Sequence, residues 1–103
     1  MTRTRSRRLE ERRERVQTYL LEAYVPDSDD RRLSDLDAAA RGAARAHCRR
    51  GCPVRLIRSI YLSGDETCFL LLETRERSAA EELGCELDLA VVRLAEAITV
   101  PQS

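Results

Sequence analysis

Apolar positions in this chain gather into short runs and helical stripes that take turns along its length. Tyr19-Leu20-Leu21-Glu22-Ala23-Tyr24-Val25 has the length and composition of a strand, and Pro26 ends it. The acidic stretch Asp27 to Asp30 reads as a turn or loop. A helix is predicted from Ser34, with Asp37 three residues on, where a carboxylate returns a hydrogen bond to the cap. Leu33, Leu36, Ala40, Ala43 and His47 recur at helical spacing, and Arg41, Arg45 and Arg49 mark the wet face. Gly51 and Pro53 stop this helix. Val54 to Leu62 reads as a second strand, Ser63 to Glu66 as a tight turn and Thr67 to Glu73 as a third strand, which together make a hairpin. Ser78, followed by Glu81, opens a second helix with an apolar stripe of Ala80, Leu83 and Leu87, interrupted by Gly84. Arg93 to Val100 is the predicted last strand.

The order β-α-β-β-α-β predicts an α+β fold of the ferredoxin-like type, with both helices on one face of a four-stranded antiparallel sheet. Right-handed crossovers give the strand order 4-1-3-2. One sheet face then lies under helices and the other is bare. A half-wet sheet should alternate apolar and polar residues. The third strand does not, since Cys68-Phe69-Leu70-Leu71-Leu72 is apolar throughout. The second strand is expected to place Val54, Leu56, Ile60 and Leu62 on one face, with Ile57 and Tyr61 on the other. The first offers Leu20 and Tyr24 to one side and Tyr19, Leu21 and Val25 to the other. Two short helices cover only one of these sets. A homodimer through the bare face is therefore expected, and two sheets stacked this way would form a dimeric α+β barrel.

With 103 residues, the chain is sized for one domain, expected over residues 17–100 and preceded by a charged arm, residues 1–16. Residues 1–15 hold seven arginines against three glutamates, so a flexible or helical solvated extension is expected there. Over the whole chain eighteen basic residues balance eighteen acidic ones, which argues against a dedicated nucleic-acid binder. No apolar run is long enough for a membrane span. No secretory signal is evident, so Cys48, Cys52, Cys68 and Cys85 are expected as cytoplasmic thiols, with Cys68 in the core.

His47-Cys48-x-x-x-Cys52 is the one cluster of soft ligands, a type that suits nickel or another divalent metal. Consecutive helical residues point about 100° apart, and three ligands fall short of a tetrahedral set. The alternatives are His47 at the inner edge of the helix, hydrogen-bonded, with two ordinary thiols, and a reversible disulfide between Cys48 and Cys52. Glu22, Arg58, Glu73 and Glu96 are polar residues inside strands. If the strands pair as expected, Glu22 and Glu96 sit on neighbours, and with Arg58 they are candidates to bind a small polar ligand; the alternative is an exposed edge position or an interface ion pair. One histidine and no glycine-rich phosphate loop leave no catalytic triad or nucleotide site to assign.

The first-strand segment Tyr19-Leu20-Leu21-Glu22-Ala23-Tyr24-Val25-Pro26 resembles that of a small bacterial group of ferredoxin-like proteins of unknown function that includes nickel-binding proteins. So do Pro53-Val54-Arg55-Leu56-Ile57-Arg58-Ser59-Ile60-Tyr61-Leu62, Asp65-Glu66-Thr67-Cys68-Phe69 and Arg93-Leu94-Ala95-Glu96-Ala97-Ile98. The resemblance covers residues 18–98. It implies the fold and a tendency to dimerise. Departures fall at Ala23, where members carry arginine, and at Asp88 to Arg93, where they carry a glycine-proline turn and an aspartate. Nickel-binding members have a histidine where this chain has Arg58, and often a cysteine where it has Leu70. A guanidinium only donates hydrogen bonds, so it does not replace an imidazole at a metal. The expected function is a small non-catalytic binding module. The alternatives are a cofactor-free enzyme of the dimeric α+β barrel type and an interaction module using the arginine-rich arm.

Overall fold

The computed structural model describes residues 16–100, so the arm lies almost wholly outside the described residues. The element order is β1 (Gln17–Tyr24), α1 (Asp30–Arg49), β2 (Val54–Leu62), β3 (Thr67–Thr74), α2 (Arg77–Glu86) and β4 (Ala90–Ala97). The four strands form one antiparallel sheet in the order β2-β3-β1-β4, which is 4-1-3-2 counted from the other edge. This arrangement is compatible with the ferredoxin-like fold.

The core lies between the helices and one sheet face. Tyr19, Leu21 and Ala23 of β1 alternate inward, as do Val54 and Leu56 of β2 and Cys68, Leu70 and Leu72 of β3. Ala40 and Ala44 of α1 and Ala79, Ala80 and Leu83 of α2 close over them. Small residues on the helices meet large ones on the sheet, which brings the two layers close.

α1 begins four residues before the expected Ser34. Asp29 is its cap, and its Oδ1 accepts a 2.8 Å hydrogen bond from the Arg32 amide. A capping carboxylate at Asp29 satisfies an otherwise orphaned N–H, so the acidic stretch starts the helix rather than preceding it. At the far end Gly51 takes φ +86°, and the Gly51 and Cys52 amides donate back to the Cys48 and His47 carbonyls at 3.1 and 3.0 Å. Glycine adopts this left-handed conformation without a Cβ clash.

α2 starts at Arg77, and its cap position Glu76 makes no side-chain capping bond, so Ser78 does not cap the helix. Gly84 does not break it either. A Cβ there would stand 3.0 Å from Val91 Cγ2 and 3.1 Å from Leu21 Cδ1, so glycine lets α2 settle onto β1 and β4. The last strand runs three residues earlier than expected, beginning at Ala90 rather than Arg93. Asp88 at φ 54° makes the short turn that permits this.

A bulge between Leu56 and Arg58 corrects the reading of β2. Val54 and Leu56 face the helices, opposite Thr74 and Leu72. Past the bulge the phase shifts by one residue, so Ile60 and Leu62 turn to the bare face, opposite Phe69 and Thr67. Tyr61 turns inward and its hydroxyl donates to the Val25 carbonyl at 2.9 Å. An extra residue on one strand reverses which side chains face the core from there on.

Candidate functional site: the uncovered sheet face

The face away from the helices is a ladder of cross-strand rungs. Leu20 of β1 stands between Leu71 of β3 and Ala95 of β4, and Arg58 lies beyond Leu71 on β2. The next rung is Ile60, Phe69, Glu22 and Arg93, and the next is Leu62, Thr67, Tyr24 and Ala90. Ile60 and Leu62 are each 44% exposed and Tyr24 48%. Phe69, Leu71 and Leu20 are half-buried by their neighbours on the same face. At one end Arg55 Nε meets Glu73 Oε1 at 3.4 Å, an exposed pair of small energetic weight.

Glu22 is the polar group at the centre of this face. It is half-buried and lies directly opposite Arg93, and among the described residues neither makes an ion pair or hydrogen bond through its side chain. Glu96, expected beside Glu22, is opposite Tyr19 in the register and so belongs to the helix-side phase of β4. The strands are neighbours as expected, but a separation of three residues puts Glu96 on the face opposite Arg93. Arg58 shares the bare face with Glu22, with β3 between them. Arg93 opens the expected last strand, and only the register of β1 with β4 shows that it stands opposite Glu22.

The His47-Cys48-Cys52 set does not come together around one point. His47 is buried at 1% exposure, and its Nε2 sits 3.1 Å from Glu86 Oε1 of α2, out of alignment for a hydrogen bond. Arg50 Nη2 reaches the same carboxylate oxygen at 3.0 Å. Cys48 is exposed and its Sγ is 3.5 Å from the Val54 carbonyl. Cys52 is half-buried against the core, and burial, then Glu76 and Glu82, push its thiol pKa up. A raised thiol pKa opposes the thiolate that a metal requires. Among the described residues no group of three histidine, cysteine, aspartate or glutamate side chains is placed to hold a metal ion. This donor set does not fit a resident nickel or zinc.

Comparison with protein-family models, with curated proteins and with solved structures finds no match. Among the described residues no helix is long and apolar enough to cross a membrane.

Proposed function

We propose that this chain is a small non-catalytic binding module that works as a homodimer, with two uncovered sheet faces stacked around a small ligand. The observation that carries this reading is Glu22, a half-buried carboxylate opposite Arg93 on an otherwise largely apolar face, with neither side chain engaged by another described residue. A carboxylate kept on an apolar surface is costly unless something pairs with it. A second copy, related by a two-fold axis, supplies its own Arg93 and Glu22, or a polar ligand bridges them.

The apolar side chains supply the driving force. Leu20, Tyr24, Ile60, Leu62, Phe69 and Leu71 are each partly exposed. Completing the burial of each contributes about 1 kcal/mol, roughly half of the value for full burial. The sum is comparable to the entropic cost of association. Stacked sheets pack about 10 Å apart with side chains filling the gap, and space for a small ligand with one polar anchor would come from the short side chains Ala90 and Ala95 on this face.

Native mass spectrometry of the full chain, with sedimentation at micromolar concentration, tests the reading. The expected result is a dimer that carries a small bound mass. Leu71→Arg should give a folded monomer without that mass. A wild-type chain that stays monomeric at high micromolar concentration overturns the proposal.

A further inference from the structure

A groove of about 300 Å³ lies between α1 and β2 at the β2 edge of the sheet, where Arg55 borders it. Its floor is apolar, made by Ala44, Val54 and Leu56, all buried. Its rim is three guanidinium groups, Arg41, Arg45 and Arg55, and no carboxylate lines it. The charge is regional: residues 38–64 hold six arginines and no acidic residue, whereas residues 65–88 hold eight acidic residues and two arginines.

The three rim arginines are not equivalent. Arg41 is balanced by Asp37, with Nε to Oδ2 at 2.9 Å, and its Nη1 donates to the Leu56 carbonyl at 3.4 Å. Arg55 is balanced by Glu73. Arg45 has no ion pair or hydrogen bond through its side chain among the described residues. Among the described residues the groove therefore offers one positive charge without a counter-charge, above an apolar floor.

We infer that this groove binds a small monocarboxylate with a compact apolar chain. One free guanidinium matches one carboxylate in the planar, two-bonded geometry that arginine favours. Ala44, Val54 and Leu56 receive the chain. A multiply charged phosphate would match the rim charge less well and leave the floor wet. The arginine arm carries the same sign as the rim, with seven arginines against three glutamates in residues 1–15, so the chain's own extension is a poor occupant. Arg41 bonds to the β2 backbone at the groove, so one carbonyl that an added strand would need is engaged.

Titration of the isotope-labelled full chain with hexanoate, followed by amide nuclear magnetic resonance, tests this. Hexanoate should give saturable shifts at Ala44, Arg45, Cys48 and Leu56. It should bind more tightly than 1-hexanol, which lacks the charge, and than inorganic phosphate, which lacks the chain. Arg45→Gln should weaken binding roughly tenfold, and Arg45→Lys should recover part of it. Arg45 is exposed, so the variant's spectrum should otherwise overlay that of the wild type. Bound hexanoate should also slow alkylation of Cys48, which lines the groove, and leave Cys85 on α2 unaffected. Absence of a saturable shift, equal affinity for phosphate or hexanol, or shifts centred on Leu20 and Phe69 of the sheet face would each overturn the assignment.

Discussion

Ser59 Oγ donates a 2.6 Å hydrogen bond to Asp37 Oδ1, tying the middle of α1 to β2 just past its bulge. Arg41 joins the same carboxylate from one helical turn on and also reaches Leu56 on the other side of the bulge. The helix thus holds both ends of the irregular segment. That segment turns Ile60 and Leu62 outward, so a polar contact on the covered side shapes the uncovered one.

This contact should be visible in the acid dependence of stability. The Ser59 hydroxyl, then Arg41, holds the Asp37 carboxyl below its ordinary value of 3.8, although burial opposes them. A lowered folded-state pKa contributes stability that is fully present above the unfolded value and is lost as pH falls through the folded one. Asp37→Asn should cost about 1 kcal/mol near neutrality, a charge-assisted bond discounted for partial exposure. The gap between wild type and variant should shrink as pH falls below about 4. Urea unfolding at several pH values measures it, and a constant gap would count against the assigned cause.

Two glycine substitutions should have opposite signs. Gly42→Ala places a Cβ no nearer than 4.0 Å to any side chain, in the middle of α1, and should stabilise by up to ~1 kcal/mol. Gly84→Ala drives a Cβ against Leu21, which is fully buried, and should destabilise by about 1–2 kcal/mol despite the better helix propensity. Thermal midpoints of the two variants should move in opposite directions.

A charge swap tests the β1–β4 register. Glu22→Arg sets two arginines opposite each other and should cost about 0.5–1 kcal/mol. Combining it with Arg93→Glu should restore most of the loss. A double variant no better than the sum of the singles would show that the two positions do not face each other.

Thiol chemistry should report burial residue by residue. Cys48 and Cys85 are exposed and should be alkylated in the native state. Cys52 should lag and need higher pH, since burial and two nearby glutamates raise its pKa. Cys68 is 2% exposed, and burial, then Asp37, raises its pKa, so it should react only at the rate of unfolding. Peptide-level mass spectrometry over time separates the four.

Element order and sheet topology were legible because Pro26, Gly51, Pro53 and the Ser63 to Glu66 turn punctuate the chain, and because apolar runs of strand length lie between them. His47 at the inner edge of its helix followed from helical spacing, and Cys68 in the core from the apolar run that holds it. Boundaries were less legible. Asp29 caps from within a stretch that reads as loop, and Gly84 reads as a breaker although it serves close packing. The bulge at Leu56/Arg58 shifts the phase within a strand where Val54, Leu56, Ile60 and Leu62 keep an even spacing, so the outward turn of Ile60 and Leu62 was hidden. Glu22 was legible as a candidate. Its counterpart Arg93 was not, because a one-residue change of register between β1 and β4 would set a different residue opposite Glu22.

The place of β1 in the sheet sets a condition on biosynthesis. β1 emerges from the ribosome before the other three strands of this sheet, yet it ends up in the sheet interior, between β3 and β4. One of its edges waits for residues 67–74 and the other for residues 90–97. A nascent chain that stops short of β4 carries Leu20, Leu21 and Tyr24 beside an open edge, the kind of template on which strands from other chains add. Release of a chain truncated at about residue 88 should therefore yield aggregates rather than a smaller folded protein, and the eight residues from Ala90 to Ala97 act as the closing seam of a sheet whose first-made strand lies inside it.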